Sequence, residues 1–240
     1  MKKILLRIIL VLQIVSCSSQ QKEKDENDFY YVINVFGAEL YQEPSMNSKI
    51  LKIIKVGEKI IPKEILKTGQ SKKIGEGFYL GGNFIRIQTG SYSGYLFSSD
   101  LTKIKPQIKD VYDGIFVANI IGKEKNKRIE KRIEKFDNKE YEIEDEITEY
   151  ENGEYIYSMF DGCFDHIYNL KKMSTNEVYH LMTSIYYLIN QTKNENEMEI
   201  PQFQEKKENE LFFTTEGTTE ELKIIIHKDG TFTISSYDCT

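Results

Sequence analysis

The 240-residue chain has no tryptophan, three histidines and three cysteines. So few soft ligands leave little room for a metal centre. Asp161, Asp165 and His166 fall within six residues of one another, but no second cluster answers them, so they read as an exposed loop. No metal and no cofactor is expected. No apolar run approaches the ~20 residues of a membrane-spanning helix. The run Ile4–Val15 is interrupted by Arg7 and Gln13 and is too short to span. The glycine-rich stretch Gly75–Asn83 has no Lys-Ser/Thr pair after it and opens no helix. A phosphate cradle is therefore excluded, and a hairpin or bulged turn is expected. There is no internal repeat. Aromatic residues are present instead as 16 Tyr and 13 Phe, the kind of side chain that strand faces favour.

Charge is divided unevenly. Phe29–Lys105 carries 11 basic and 6 acidic residues, a balance of +5. Pro106–Thr240 carries 16 basic and 28 acidic residues, a balance of −12. A positive module beside a negative one reads either as two oppositely charged solvated faces or as a module that meets an anionic partner.

Lys2 and Lys3 precede the short apolar run, as in an export signal. Its end, Ile14-Val15-Ser16-Cys17, resembles a bacterial lipobox. The resemblance implies cleavage after residue 16 and lipid on Cys17, which would anchor the protein to a membrane. Several acyl chains, at about 0.8 kcal/mol per buried CH₂, make a stable anchor. Residues 17–28 are polar and charge-rich and read as a flexible tether. With Cys17 lipidated, Cys163 and Cys239 remain as one pair, and a disulfide between them is expected in an oxidising compartment.

The stretch from Leu40 to Leu101 is the most readable part of the chain. Pro44-Ser45 makes a turn, Lys49–Ile54 a strand, Lys55-Val56-Gly57-Glu58 a tight turn, and Ile60 opens the next strand. Ile85-Arg86-Ile87, Ser93-Gly94-Tyr95-Leu96 and Ser98-Ser99-Asp100-Leu101 follow. Together these resemble a bacterial SH3-like domain. Glu43 stands where that family favours Gly, Tyr95 replaces its Trp, and residues 62–83 are an insertion. The resemblance implies a small β-barrel over residues 29–105 whose ligand groove is lined by aromatics. Here those would be Tyr41, Phe84, Tyr92, Tyr95 and Phe97.

Lys105-Pro106 marks a boundary. Beyond it, Val111–Ile121 reads as strand with a turn at Asp113-Gly114. Residues 122–140 leave two choices. Ile129, Ile133 and Phe136 permit an amphipathic helix, while the alternation of Tyr141, Ile143 and Ile147 points to a β-hairpin. Asn152-Gly153 signals a type I′ hairpin, and Lys228-Asp229-Gly230 a last one. Ser174-x-x-Glu177 is a capping box. The stripe Val178, Leu181, Met182, Ile185, Leu188, Ile189 predicts one helix packed on a core, with His180 partly exposed. The fold class is therefore mainly β with an α+β second half (106–240): an antiparallel sheet and one clear helix.

Phe160-Asp161-Gly162-Cys163 resembles, with departures, the nucleophile step of NlpC-type wall endopeptidases, with His227 as the spaced partner. Gly162 intrudes, and no helix start follows Cys163, so no catalytic residue is assigned. The reading is a non-enzymatic, lipid-anchored protein of the cell envelope, on the periplasmic or surface side of the outer membrane. Its SH3-like module would bind a wall peptide, a glycan such as peptidoglycan, an anionic envelope polymer or a protein. Nucleic acid is not an expected partner. The alternatives are a wall hydrolase acting through Cys163 and an extracellular adhesin or inhibitor.

Overall fold

The structure is a computed structural model that describes residues 29–191, 196–217 and 219–239. The expected export signal, Cys17 and the expected tether lie outside the described residues. The chain is mostly β, in several antiparallel sheets, with one α-helix among the described residues.

The first half forms β1 (Tyr30–Val32), β2 (Ala38–Tyr41), β3 (Ile50–Ile54), β4 (Lys59–Ile60), β5 (Glu64–Gly75), β6 (Phe78–Thr89), β7 (Tyr92–Phe97) and β8 (Leu101–Thr102), with a 3₁₀ turn at Ser98–Asp100. One sheet has the order β4-β1-β8, the other β3-β2-β7-β6-β5. Val32, Leu40, Ile54, Ile85 and Leu96 fill one core in this half. The predicted turn at Lys55–Glu58 closes with the Glu58 amide on the Lys55 carbonyl, and Gly57 supplies the positive φ.

The second half forms β9 (Gln107–Tyr112), β10 (Ile115–Asn119), β11 (Glu124–Phe136), β12 (Lys139–Tyr150), β13 (Gly153–Phe160), β14 (Cys163–Leu170), α1 (Thr175–Ile185), β15 (Leu188–Gln191), β16 (Asn196–Glu199), β17 (Gln202–Lys207), β18 (Glu210–Thr214), β19 (Thr219–Ile226) and β20 (Phe232–Cys239). Its main sheet has eight strands in the order β11-β12-β13-β14-β20-β19-β18-β17.

No sheet among the described residues mixes strands from the two sides of residue 105. The core does mix them. The largest apolar cluster joins Ile33, Phe78 and Leu80 to Val178, Leu181 and Met182 of α1 and to Leu211, Phe213, Ile224 and Ile234 of the eight-stranded sheet. The β5–β6 hairpin makes this junction, and its tip docks Phe78 against Tyr179, Phe203 and Phe213 at ring distances of 5.6, 5.4 and 6.2 Å. Gly75 permits that approach, since a Cβ there would lie 2.0 Å from Phe203 Cδ1. Polar contacts support the same junction. Asn176 Nδ2 donates to the Gly81 carbonyl at 2.8 Å, and the Thr102 hydroxyl donates to Glu177.

Of the two choices left open for residues 122–140, the structure takes the β-hairpin, with residues 124–136 as strand β11. In this strand Ile129 and Ile133 are 61% and 59% exposed. Extended pairing sets Lys131 against Glu142 and Glu144 at 2.7 and 3.0 Å, and Lys135 against Glu140 at 2.9 Å. The helix keeps its capping box, with the Ser174 amide donating to Glu177 at 2.7 Å, but ends at Ile185. Leu188 and Ile189 belong to β15, because Tyr186 leaves helical geometry and its hydroxyl bonds Ser236 at 2.9 Å. The hairpin at Asn152-Gly153 is present one residue early. Tyr150 pairs with Gly153, so Glu151 and Asn152 make the turn. Gly153 is needed for packing rather than for the turn, since a Cβ would meet the Asn169 carbonyl oxygen at 2.3 Å.

Candidate functional site

Of the five aromatics expected in a groove of the first half, three are core residues. Phe84 and Phe97 are fully buried and Tyr41 is nearly so; with Met46, Leu66 and Tyr95 they form a small core of their own. Tyr95 is the partly exposed edge of that core, and Tyr92 stands apart at the start of β7, 45% exposed. Aromatics also serve as core filling, and that use wins here for Tyr41, Phe84 and Phe97.

Asp161, Asp165 and His166 also separate. Asp161 and Gly162 make the positive-φ turn between β13 and β14. Asp165 and His166 are consecutive strand residues and so point to opposite faces. No group of three or more His, Cys, Asp or Glu side chains is placed to hold a metal ion among the described residues. Cys163 opens β14 directly opposite Cys239 of β20, and the two are joined by a disulfide. In this bonded form Cys163 has no thiol to ionise. His227 is committed elsewhere, with Nε2 at 2.9 Å from the Thr233 hydroxyl.

The disulfide fixes a register that builds another site. With Cys163 facing Cys239, Phe164 faces Asp238, His166 faces Ser236 and Tyr168 faces Ile234. On the other side of β14, Met159, Tyr157 and Tyr155 face Phe164, His166 and Tyr168. Nine side chains thus form a grid on one sheet face, with His166 at its centre. Cross-strand diagonals in such a grid are within reach of long and aromatic side chains. The Tyr155 hydroxyl lies 2.6 Å from His166 Nδ1, and Asp238 Oδ2 lies 3.2 Å from His166 Nε2. Tyr155 also stacks on Tyr168 at 4.5 Å, and Tyr157 on Phe164 at 5.9 Å.

Beside the grid is a pocket of about 310 Å³, walled by Tyr155, His166, Tyr168, Tyr186, Glu216 and Asp238. That volume is at the lower end for small-molecule sites. Burial pushes the Tyr155 hydroxyl up to about 12, and burial raises Tyr168 and Tyr186 well above the ordinary phenol range. The phenols therefore hold their protons at neutral pH and serve as donors, not as bases. With Tyr155 donating to Nδ1, the Nε2 side of the ring faces the Asp238 carboxylate. Two polar atoms lining the pocket remain unused, the Thr215 hydroxyl and one Asp238 oxygen. Asp238 Oδ1 is buried and has no hydrogen-bond donor among the described residues. A buried carboxylate oxygen without a donor costs about 1–3 kcal/mol or more, unless a ligand supplies one.

The second polar centre is Asp100, at the junction of the two halves. It accepts from Asn34 Nδ2 at 3.1 Å and faces His180 Nε2 at 3.5 Å and Lys72 Nζ at 3.9 Å. Burial pushes its carboxyl up, but His180, Lys72 and Asn34 outweigh that and hold it below the usual carboxylate range. His180 is buried, not partly exposed, because α1 turns it toward this carboxylate.

No family model, curated protein or solved structure matches the chain. The sequence had named His166 only as a loop residue and had not singled out Tyr155, Tyr168, Tyr186 or Asp238. The one signal that leads to them is the cysteine pairing. Two cysteines opposed on antiparallel strands fix which residues of β14 and β20 face each other.

Proposed function

We propose that the chain is a lipid-anchored protein of the bacterial cell envelope that binds a wall-derived ligand without transforming it. The observation that carries this reading is the unsatisfied Asp238 Oδ1 in an aromatic-walled pocket, beside a histidine that lies 2.6 Å from the Tyr155 hydroxyl and 3.2 Å from Asp238 Oδ2. Such a site offers fixed acceptors and stacking surface to a ligand that brings hydroxyl, amide or ammonium donors, as sugars and wall peptides do. The lipobox ending at Cys17 supports the anchor, and the Cys163–Cys239 disulfide fits an oxidising compartment. The first half supports an SH3-like reading through its two small sheets, with the predicted turns at the expected places. Its balance of +5 suits an anionic envelope polymer lying alongside. The hydrolase alternative loses its support while Cys163 is bonded to Cys239, since a thiolate is the nucleophile in that chemistry.

Two measurements on one strain test the reading. The wild-type chain should fractionate with membranes, and Cys17→Ala should release it. The released protein should co-sediment with purified peptidoglycan sacculi. Retention of Cys17→Ala in washed membranes would contradict the anchor. A soluble protein that ignores sacculi would contradict the ligand class.

A further inference from the structure

Strand β11 is an edge of the eight-stranded sheet and pairs only with β12 among the described residues. It is 13 residues long and exposed along most of its length. A long open edge presents unpaired amides and carbonyls to any other strand, and proteins ordinarily blunt such an edge with charge. β11 is charged, and its arginines already meet carboxylates of their own chain. Arg128 meets that of Glu130 at 2.7 Å, and Arg132 those of Glu134 and of Asp145, the latter at 2.9 Å, so a pairing across the edge shares these carboxylates rather than meeting free charges. On one face stand Arg128, Glu130, Arg132 and Glu134, opposite Ile147, Asp145, Ile143 and Tyr141 of β12. The signs alternate along this face, so the row is complementary to its own reverse.

We propose that β11 pairs antiparallel with β11 of a second copy of the chain, about a two-fold axis passing through Lys131. In that register Arg128 faces the second copy's Glu134, Glu130 faces its Arg132, and the relation repeats in the other direction. Four opposed pairs result. On the other face Ile129 meets Ile133 of the second copy, which covers two side chains now 61% and 59% exposed. A shift of two residues either way sets Arg against Arg and Glu against Glu. A shift of four leaves half of the opposed pairs. A two-fold axis perpendicular to the sheet requires that facing residues share a face, which removes the intermediate registers.

The lysines oppose one another in this register, at Lys131 on the axis and between Lys127 and Lys135. Each already has a carboxylate beside it on its own chain. Lys131 lies 2.7 Å from Glu142 and 3.0 Å from Glu144, Lys135 lies 2.9 Å from Glu140, and Lys127 lies 3.5 Å from Glu124. Main-chain hydrogen bonds supply attraction along the edge, and side-chain signs choose the partner and the register. The predicted assembly is an isologous dimer with one continuous sheet across it.

The test uses the full chain carrying Cys17→Ala, which leaves every described residue unchanged. Sedimentation equilibrium should give the dimer mass. Glu130→Lys/Glu134→Lys makes the face wholly basic, and Arg128→Glu/Arg132→Glu makes it wholly acidic. Each double variant alone should sediment as a monomer, and an equimolar mixture of the two should regain the dimer mass. The mixture guards against misfolding, because two misfolded chains would not restore a defined dimer. A wild-type monomer at every concentration overturns the proposal. So does a dimer that survives in both variants, or a mixture that stays monomeric.

Discussion

Truncating Phe78 to alanine asks whether the two halves of the chain share one core. Phe78 sits at the tip of the β5–β6 hairpin, is buried, and touches the rings of Tyr179, Phe203 and Phe213. Those three partners all lie beyond residue 105. Removing a buried phenylalanine costs about 3–5 kcal/mol through lost transfer energy and the cavity left behind. The ring–ring geometry accounts for about 0.5–1.5 kcal/mol per pair beyond area. For a protein of this size each kcal/mol lowers the melting temperature by about 2–4 °C, so Phe78→Ala should lose about 6–20 °C. The assay is calorimetry on wild type and variant. If the core is shared, one cooperative transition moves as a whole. Two transitions, with only the one belonging to residues 29–105 displaced, would refute the shared core. So would a change of less than about 1 kcal/mol, well under the ~3–5 expected for such a site. The same reasoning bears on the isolated fragment 29–105. Sheet pairing would let it fold, but it would expose Ile33, Phe78 and Leu80, which the second half covers.

Cys239→Ser opens a loop spanning 76 positions, for which the chain-entropy model gives a ceiling of about 4–5 kcal/mol. Urea midpoints of the variant should match those of reduced wild type, and a variant as stable as oxidised wild type would contradict a structural bridge. Asp100 is the pH-sensitive residue of the junction. Its folded carboxyl lies below its unfolded value near 4, so its contribution is present above about pH 4 and is lost as pH falls through the folded value. Asp100→Asn should flatten the acid limb of stability against pH, and an unchanged acid limb would show that His180 and Lys72 do not hold the carboxylate.

Local chemistry was legible wherever a few neighbouring residues decide the outcome. Lys55–Glu58, Asp113-Gly114 and Lys228–Gly230 turn where their residue types direct, and Ser174 with Glu177 caps the helix as expected. Residues 124–136 were ambiguous because the same spacing of Ile129, Ile133 and Phe136 fits a helix, and the pairing that makes them a strand runs along β12, beyond the local window. The helix end was misplaced for a similar reason. Tyr186 is drawn out by Ser236, a residue 50 positions away. The aromatic grid was not legible strand by strand. Alternation places Tyr155, Tyr157 and Tyr168 on a face, but not which strand lies beside β14. Neighbouring β20 follows α1 and five further strands in the chain. The groove aromatics of the first half were assigned from a family resemblance, and burial shows Phe84 and Phe97 acting as core.

The most direct test of the account is titration calorimetry of a soluble disaccharide-peptide fragment of the bacterial wall into wild type and Asp238→Asn. A hydrogen bond to a charged group contributes about 1.5–3 kcal/mol. With each 1.4 kcal/mol worth a factor of ten, the variant should bind about 10–100-fold more weakly. Tyr92→Ala, remote from the pocket, should bind as wild type does. Equal affinity for wild type and Asp238→Asn, or no binding of the fragment to wild type, would contradict the claim that this pocket is a binding site for wall-derived ligands.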